Sequence, residues 1–244
     1  MSEQNLVGVL AKMRSELAAT VNYQLPVGDQ HLALNEWIGK TLQLTYDGAI
    51  FCSHCGRKTK KSFSQGYCYP CFKKLPQCDT CIMSPEKCHY DQGSCRDAAW
   101  GEQFCMTDHI VYLSNSSGLK VGITRATQIP TRWIDQGATQ AMPLMRVTTR
   151  QQSGLVESMF KASVNDRTNW RAMLKGPAEP LDLQQEGQAL LEAYQPQIHS
   201  LQNQFGVQAI QTIENPQSIT IDYPVIEYPT KVTSQSFDLS LIHI

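Results

Sequence analysis

Apolar and polar residues alternate with period two in "ATVNYQLP" and again in "GKTLQLTYDGAIFC", so the first fifty residues read as β-rich, with a turn at Asp47-Gly48. "GVLAKMRSEL" fits both a strand and a short helix. Further on, Ile110–Leu113 and Leu119–Thr124 are two strands joined by "SNSSG", a loop built from turn residues. Pro130 and Gly137 then bracket a helix over Thr131–Gln136, and "LMRVTT" is a third strand.

The period changes to 3.6 in "SGLVESMFKASV", where Leu155, Val156, Met159, Phe160 and Ser163 share one face. Glu157 falls at the edge of that face, so its carboxylate can be held by the core and still reach solvent. "DRTNWRAMLKGP" predicts a short helix, and "LDLQQEGQALLEAYQPQIHSLQNQFG" a longer one broken near Pro196. "QSITIDYPVIEYPTKVTS" returns to β character, with prolines that suit edges and bends.

These elements describe an α+β chain in five parts. Residues 1–50 are a β-rich segment expected to pack with 206–234, 51–108 hold the cysteines, and 109–178 form a small sheet with helices. Residues 179–205 are helical, and 206–244 are a truncated β segment. The tail Ser236–Ile244 reads as the end of a gene fragment rather than as designed structure.

Charge alters this picture in one place. The net charge is −1 over 244 residues, which argues against a protein that coats nucleic acid with its whole surface. Yet Arg57, Lys58, Lys60, Lys61, Lys73 and Lys74 lie between Phe51 and Lys74 with no acidic residue among them. The positive charge is gathered in one small module, interleaved with Phe63, Tyr67, Tyr69 and Phe72 as base-stacking candidates. The chain opens with no basic run followed by an apolar stretch, and no segment approaches the roughly 18 apolar residues of a membrane span. A cytoplasmic protein that is not membrane-bound is the expectation.

In that compartment thiols stay reduced, so nine cysteines confined to Cys52–Cys105 point to metal rather than to disulfides. Cys52-x2-Cys55 and Cys68-x2-Cys71 have the spacing of a two-knuckle zinc ribbon, and four thiolates leave no open position for water. That zinc is structural. Cys78, Cys81, Cys88, Cys95 and Cys105, with His89 and His109 nearby, exceed what one ion needs. A second structural zinc is the first reading of this group, and an iron–sulfur cluster is the alternative. His109 is equally well a strand residue.

The order strand, hairpin, strand, Arg-bearing helix, strand, Glu-bearing helix resembles the core of the GIY-YIG nucleases over about Ile110–Leu174. "VYL" corresponds to the first motif, placing Tyr112 at its tyrosine, and "KVG" to the second, placing Gly122 at its glycine. The resemblance implies that Arg132 is the helix arginine and Glu157 the carboxylate that holds Mg2+ or Mn2+. Asn169 corresponds to a polar residue found late in some members. Lys120 stands where the second motif has its tyrosine, and Ile110 or Val111 where the first has its glycine. "KVGIT" is a known variant of the pattern. The whole chain is also similar to domain-of-unknown-function family 2797, a bacterial family with no established activity. That similarity rests on "LPVGDQHLALNEWIGKTL", "CHYDQGSCRDAAWGEQFC" and "HIVYLSNSSGLKVGITRATQIPTRWIDQGATQA".

The resulting expectation is a zinc-containing, nucleic-acid-binding protein with a GIY-YIG-like site formed by Tyr112, Lys120, Arg132 and Glu157. Two alternatives stay open. One is a non-catalytic, metal-stapled module for a protein partner, and the other an iron–sulfur or RNA-modifying enzyme centred on the second cysteine group.

Overall fold

A computed structural model describes residues 5–46, 48–64 and 66–233. Asp47 of the expected turn and the tail from residue 234 lie outside the described residues. The architecture is α+β, with two antiparallel sheets. The first is a three-stranded meander of β1 (Arg14–Glu16), β2 (Asn22–Val27) and β3 (Gln30–Ala33). The ambiguous "GVLAKMRSEL" thus supplies a strand. "GKTLQLTYDGAIFC" does not: Leu42 and Leu44 are exposed, and only Phe51 forms a bridge, to Lys58. Alternation marks a face, but a strand also needs a neighbouring strand along its length, and among the described residues this stretch has only the bridge at Phe51.

Three short helices carry the cysteine-rich segment: α1 (Tyr69–Lys74), α2 (Thr80–Met83) and α3 (Ala98–Phe104). The second sheet follows, with β4 (His109–Asn115) paired to β5 (Leu119–Arg125) in the register Tyr112↔Gly122. Next come α4 (Thr131–Asp135), β6 (Gln140–Val147), α5 (Arg150–Phe160), α6 (Trp170–Met173), α7 (Leu183–Ala193) and α8 (Gln195–Phe205). Strands β7 (Ile210–Thr212) and β8 (Ile219–Thr220) both pair with β6, so the sheet runs β5-β4-β6-β7 with β8 beside β6.

β4 is buried along its whole length because it is central and covered on both faces. Val111 and Leu113 join Val121, Val156 and Phe160 in a core under α5, α7 and α8. Ile110 and Tyr112 face the other way, against Trp133 and Ile134 of α4 and against Val21 and Ile221. Val21 also donates its backbone N–H to Asp222 O at 2.9 Å, which joins the N-terminal sheet to the C-terminal segment. Pro143 is tolerated inside β6 because it lies opposite Tyr112, where the ladder shifts register. Gly137, at φ +64°, ends α4 in the left-handed region that glycine enters without strain. The long C-terminal helical pattern divides at Tyr194, and Pro196 sits in the first turn of α8, where a missing N–H costs nothing.

Candidate functional site

Two cysteine stations and one polar site lie along this scaffold. In the first station Cys52, Cys55, Cys68 and Cys71 bring all four sulfurs within 4.8 Å of one another. The Cys55 and Cys68 sulfurs are 3.8 Å apart. A tetrahedron with Zn–S bonds of about 2.3 Å has edges of about 3.8 Å, so the thiols are spaced for one zinc-sized ion. Burial alone would raise the Cys52 thiol, but backbone N–H groups of Cys55, Cys68 and His54 overcome it and bring it down to about 6, while burial and the three neighbouring thiols push Cys71 up to about 12. Such N–H groups aimed at sulfur favour the thiolate, which is the form that ligates metal.

Around this station Arg57, Lys58, Lys60, Lys61, Lys73 and Lys74 are all exposed, and among the described residues none is in an ion pair. Phe63 packs on Phe72 and Tyr69, with ring centroids 5.6 and 5.4 Å away, so these aromatics build the module's small core. Tyr69 still keeps 55% of its surface exposed.

The second group divides. Cys81, Cys88, Cys95 and Cys105 line one pocket, together with Tyr90 and Trp100. Cys78 lies outside it, beside Ser64 and Cys52. His89 is turned to Asp79 (3.7 Å) and Ser94 (2.9 Å). Asp79, Cys81 and His89 also lie mutually close, but Asp79 is already engaged by Arg96 Nε at 2.7 Å and by the Thr80 N–H at 2.6 Å. His109 is fully buried in β4, and its Nδ1 faces Thr107 O at 2.7 Å. Burial holds its ring near a pKa of about 4, and so neutral. His109 is not among the residues that line the pocket.

Helix α5 ties this station to the sheet. Arg150 Nη2 donates to Ile82 O at 2.8 Å, the Arg150 backbone N–H to Cys105 O at 2.8 Å, and Gln151 Nε2 to Cys88 O at 3.0 Å. Gly154 lets the turn at Pro85–Lys87 lie directly on the helix: a Cβ there would stand 2.6 Å from the Glu86 nitrogen. Glu157 lies about two turns along α5 from Arg150 and less than one turn from Gly154.

The polar site forms at β5, an edge strand. Tyr112 and Lys120 point to the same side of the sheet, since Tyr112 pairs with Gly122 and Lys120 is two residues from it. Gly122 is required there, because a Cβ would fall 2.6 Å from the Tyr112 hydroxyl. The Tyr112 hydroxyl donates to Gln136 Oε1 at 2.7 Å. Its pKa is pushed up to about 12 by burial, opposed by the neighbouring Arg132 guanidinium and reinforced by Glu157. Lys120 Nζ meets Thr168 Oγ1 at 3.1 Å. Burial, and secondarily Arg132, bring its pKa down to about 8, against the pull of Glu157 and Asp166. Glu157 is raised by burial, and its neighbour Lys161, at 3.3 Å, works in the opposite direction.

The structure therefore brings Tyr112, Lys120, Arg132 and Glu157 into one electrostatic neighbourhood. Asn169 stands apart from it and caps α6 by accepting the Ala172 N–H. Sequence reasoning missed Gln136, Lys161, Asp166 and Thr168. Gln136 and Lys161 follow Arg132 and Glu157 by four residues, a spacing that could have identified them. Asp166 and Thr168 come from the chain that runs beside β5, where Asn165 O accepts the Val121 N–H at 2.9 Å, and only tertiary structure shows this.

Among the described residues no helix is long and apolar enough to cross a membrane. The sequence profile of one family, described as protein of unknown function (DUF2797), matches residues 39–241. No curated protein and no solved structure matches the chain.

Proposed function

The chain belongs to the DUF2797 family, and from that premise we propose a nucleic-acid-binding protein whose zinc ribbon grips phosphates and whose GIY-YIG-like site receives one phosphodiester. The observation that supports this reading is that Arg132 and Glu157 both act electrostatically on Tyr112 and on Lys120 beside β5. Cleaving a phosphodiester builds negative charge on the phosphoryl oxygens. A guanidinium, an ammonium and a carboxylate-held divalent ion each lower that cost. In this reading Arg132 and Lys120 take the phosphate oxygens, Glu157 holds Mg2+ or Mn2+, and Tyr112 orients the attacking water. Zinc in the ribbon is structural, because four thiolates fill its coordination sphere.

A second reading, binding without cleavage, is favoured by one specific feature. The Tyr112 proton is committed to Gln136, and burial keeps the phenol protonated far above neutral pH. Lys120 supplies charge where the resembling family has a second tyrosine, but no comparable proton chemistry.

The test is binding and cleavage of generic DNA and RNA, with added Mg2+ or Mn2+, by the intact protein and by Glu157→Ala. Catalysis requires that cleavage vanish in Glu157→Ala while binding stays within about twofold, since the carboxylate serves the ion and not the groove. Arg132→Ala should then cost on the order of 2.7–4 kcal/mol in the transition state. Binding with no cleavage under either ion selects the second reading. No salt-dependent binding to either nucleic acid overturns both.

A further inference from the structure

We propose that Cys81, Cys88, Cys95 and Cys105 form the binding site of a [4Fe–4S] cluster, distinct from the zinc station.

The grouping of the sulfurs is the first feature that separates the two stations. All four ribbon sulfurs lie within 4.8 Å of one another, whereas the close group that includes Cys81 is Asp79, Cys81 and His89 and takes in none of Cys88, Cys95 and Cys105. A single zinc needs sulfur–sulfur edges of about 3.8 Å. A cluster places its own iron and sulfide atoms between the thiolates, so it holds them further apart. Both stations belong to the same chain, and the same ruler separates them.

The wall is the second feature. Four thiols face one pocket, and the rest of its lining includes Pro76, Trp100 and Gly101. Gly101 is needed for closure, because a Cβ there would lie 2.8 Å from the Tyr90 ring and 3.5 Å from the Cys95 sulfur. Apolar packing of this kind shields sulfide from water and so sets the stability and potential of a cluster.

Charge is the third. A [4Fe–4S] core with four thiolates is anionic and needs cations at its edge. Arg96 lies on the wall, held by Asp79. Arg150 comes in from α5, and its guanidinium interacts with the Cys105 and Cys81 sulfurs. Its Nε is buried and, among the described residues, has no hydrogen-bond partner. An unpaired buried guanidinium N–H is costly, and near Cys105 and Cys81 it is a natural donor to thiolate sulfur.

The site fills by ligand exchange with a preformed cluster, with no change in oxidation state. Four Fe–S(thiolate) bonds to a carrier break and four Fe–Sγ bonds to the cysteines form. The four cysteine protons leave with the four departing thiolates.

The experiment uses the full chain, purified without oxygen and then incubated with a synthetic [4Fe–4S] cluster bearing four small thiolate ligands. The expected result is about four iron and four sulfide per chain, beside one zinc, with a broad visible absorption. Cys88→Ser and Cys95→Ser should lose the colour and most of the iron while keeping the zinc. Cys78→Ser, outside the pocket, should keep both. Two zinc ions per chain with no iron or sulfide would overturn the assignment, as would colour that survives in Cys88→Ser and Cys95→Ser. The metal content of the unaltered chain decides the matter even where a variant fails to fold.

Discussion

The two cysteine stations are less than thirty residues apart in sequence, yet they relate to the rest of the molecule in opposite ways. The ribbon station closes on itself. Its four sulfurs are spaced for one ion, its aromatics pack on one another, and its lysines face solvent. The second station is joined to the sheet: Arg150, Gln151 and Gly154 attach it to the helix that also carries Glu157. A metal that only staples its own loop can be lost with local consequences. A metal group seated under a shared helix acts on whatever that helix positions.

The largest effect should come from separating the second station from α5. Gly154→Val would drive a side chain into the Pro85–Glu86 backbone, which cannot yield as a flexible side chain can. The expected loss is about 3 kcal/mol in denaturant unfolding of the metal-loaded protein, the upper part of the range for overpacking. A midpoint unchanged from the parent would show that the turn at Pro85–Lys87 does not bear on the helix.

Acid should act next, at the junction between Cys105 and the sheet. His109 is held neutral by burial, with its pKa lowered from 6.5 to about 4. Between those values the unfolded chain binds the proton and the folded chain does not. Stability is therefore complete above about pH 6.5 and falls as pH drops towards 4, by about 3 kcal/mol at most. In His109→Gln the slope of stability against pH in that window should shrink. An unchanged slope would assign acid sensitivity to other groups.

Cys55→Ser tests the closed character of the ribbon. It should remove about one zinc per chain and loosen residues near 52–72, because metal affinity here is folding energy. The main unfolding transition of the sheet should move little. Undiminished zinc would refute the ribbon assignment. The smallest structural effect belongs to Lys58, Lys60 and Lys61. Their joint replacement with Ala should leave stability within about 0.5 kcal/mol, weaken nucleic-acid binding across sequences, and flatten the salt slope by about three charges' worth. An unaltered salt slope would remove the ribbon as the phosphate grip.

What the sequence revealed follows the range of the interactions concerned. Ligand spacing within twenty residues identified Cys52, Cys55, Cys68 and Cys71; apolar runs and turn residues placed β4, β5 and α4 within a residue or two, but α5 about one turn too far towards its C-terminal end. The placement of Glu157 at the edge of an apolar face rests on the same local geometry. Local pattern could not divide the five later cysteines, because Cys78 and Cys81 look alike until the chain is folded. Nor could it show Arg150 reaching Ile82, a contact across 68 residues. The stretch from Gly39 to Cys52 shows the reverse failure. Its alternation is real, but no partner strand exists among the described residues to turn it into a ladder.

The central claim is that the second station supports the Glu157 helix and the ribbon does not. Hydrogen exchange at the backbone amides of Val156–Phe160 tests it most directly, compared in the parent, Cys88→Ser and Cys55→Ser, each assayed with whatever metal it retains. The account predicts that protection of these amides falls in Cys88→Ser and stays at the parent level in Cys55→Ser. Equal protection in all three, or equal loss in both variants, would contradict it.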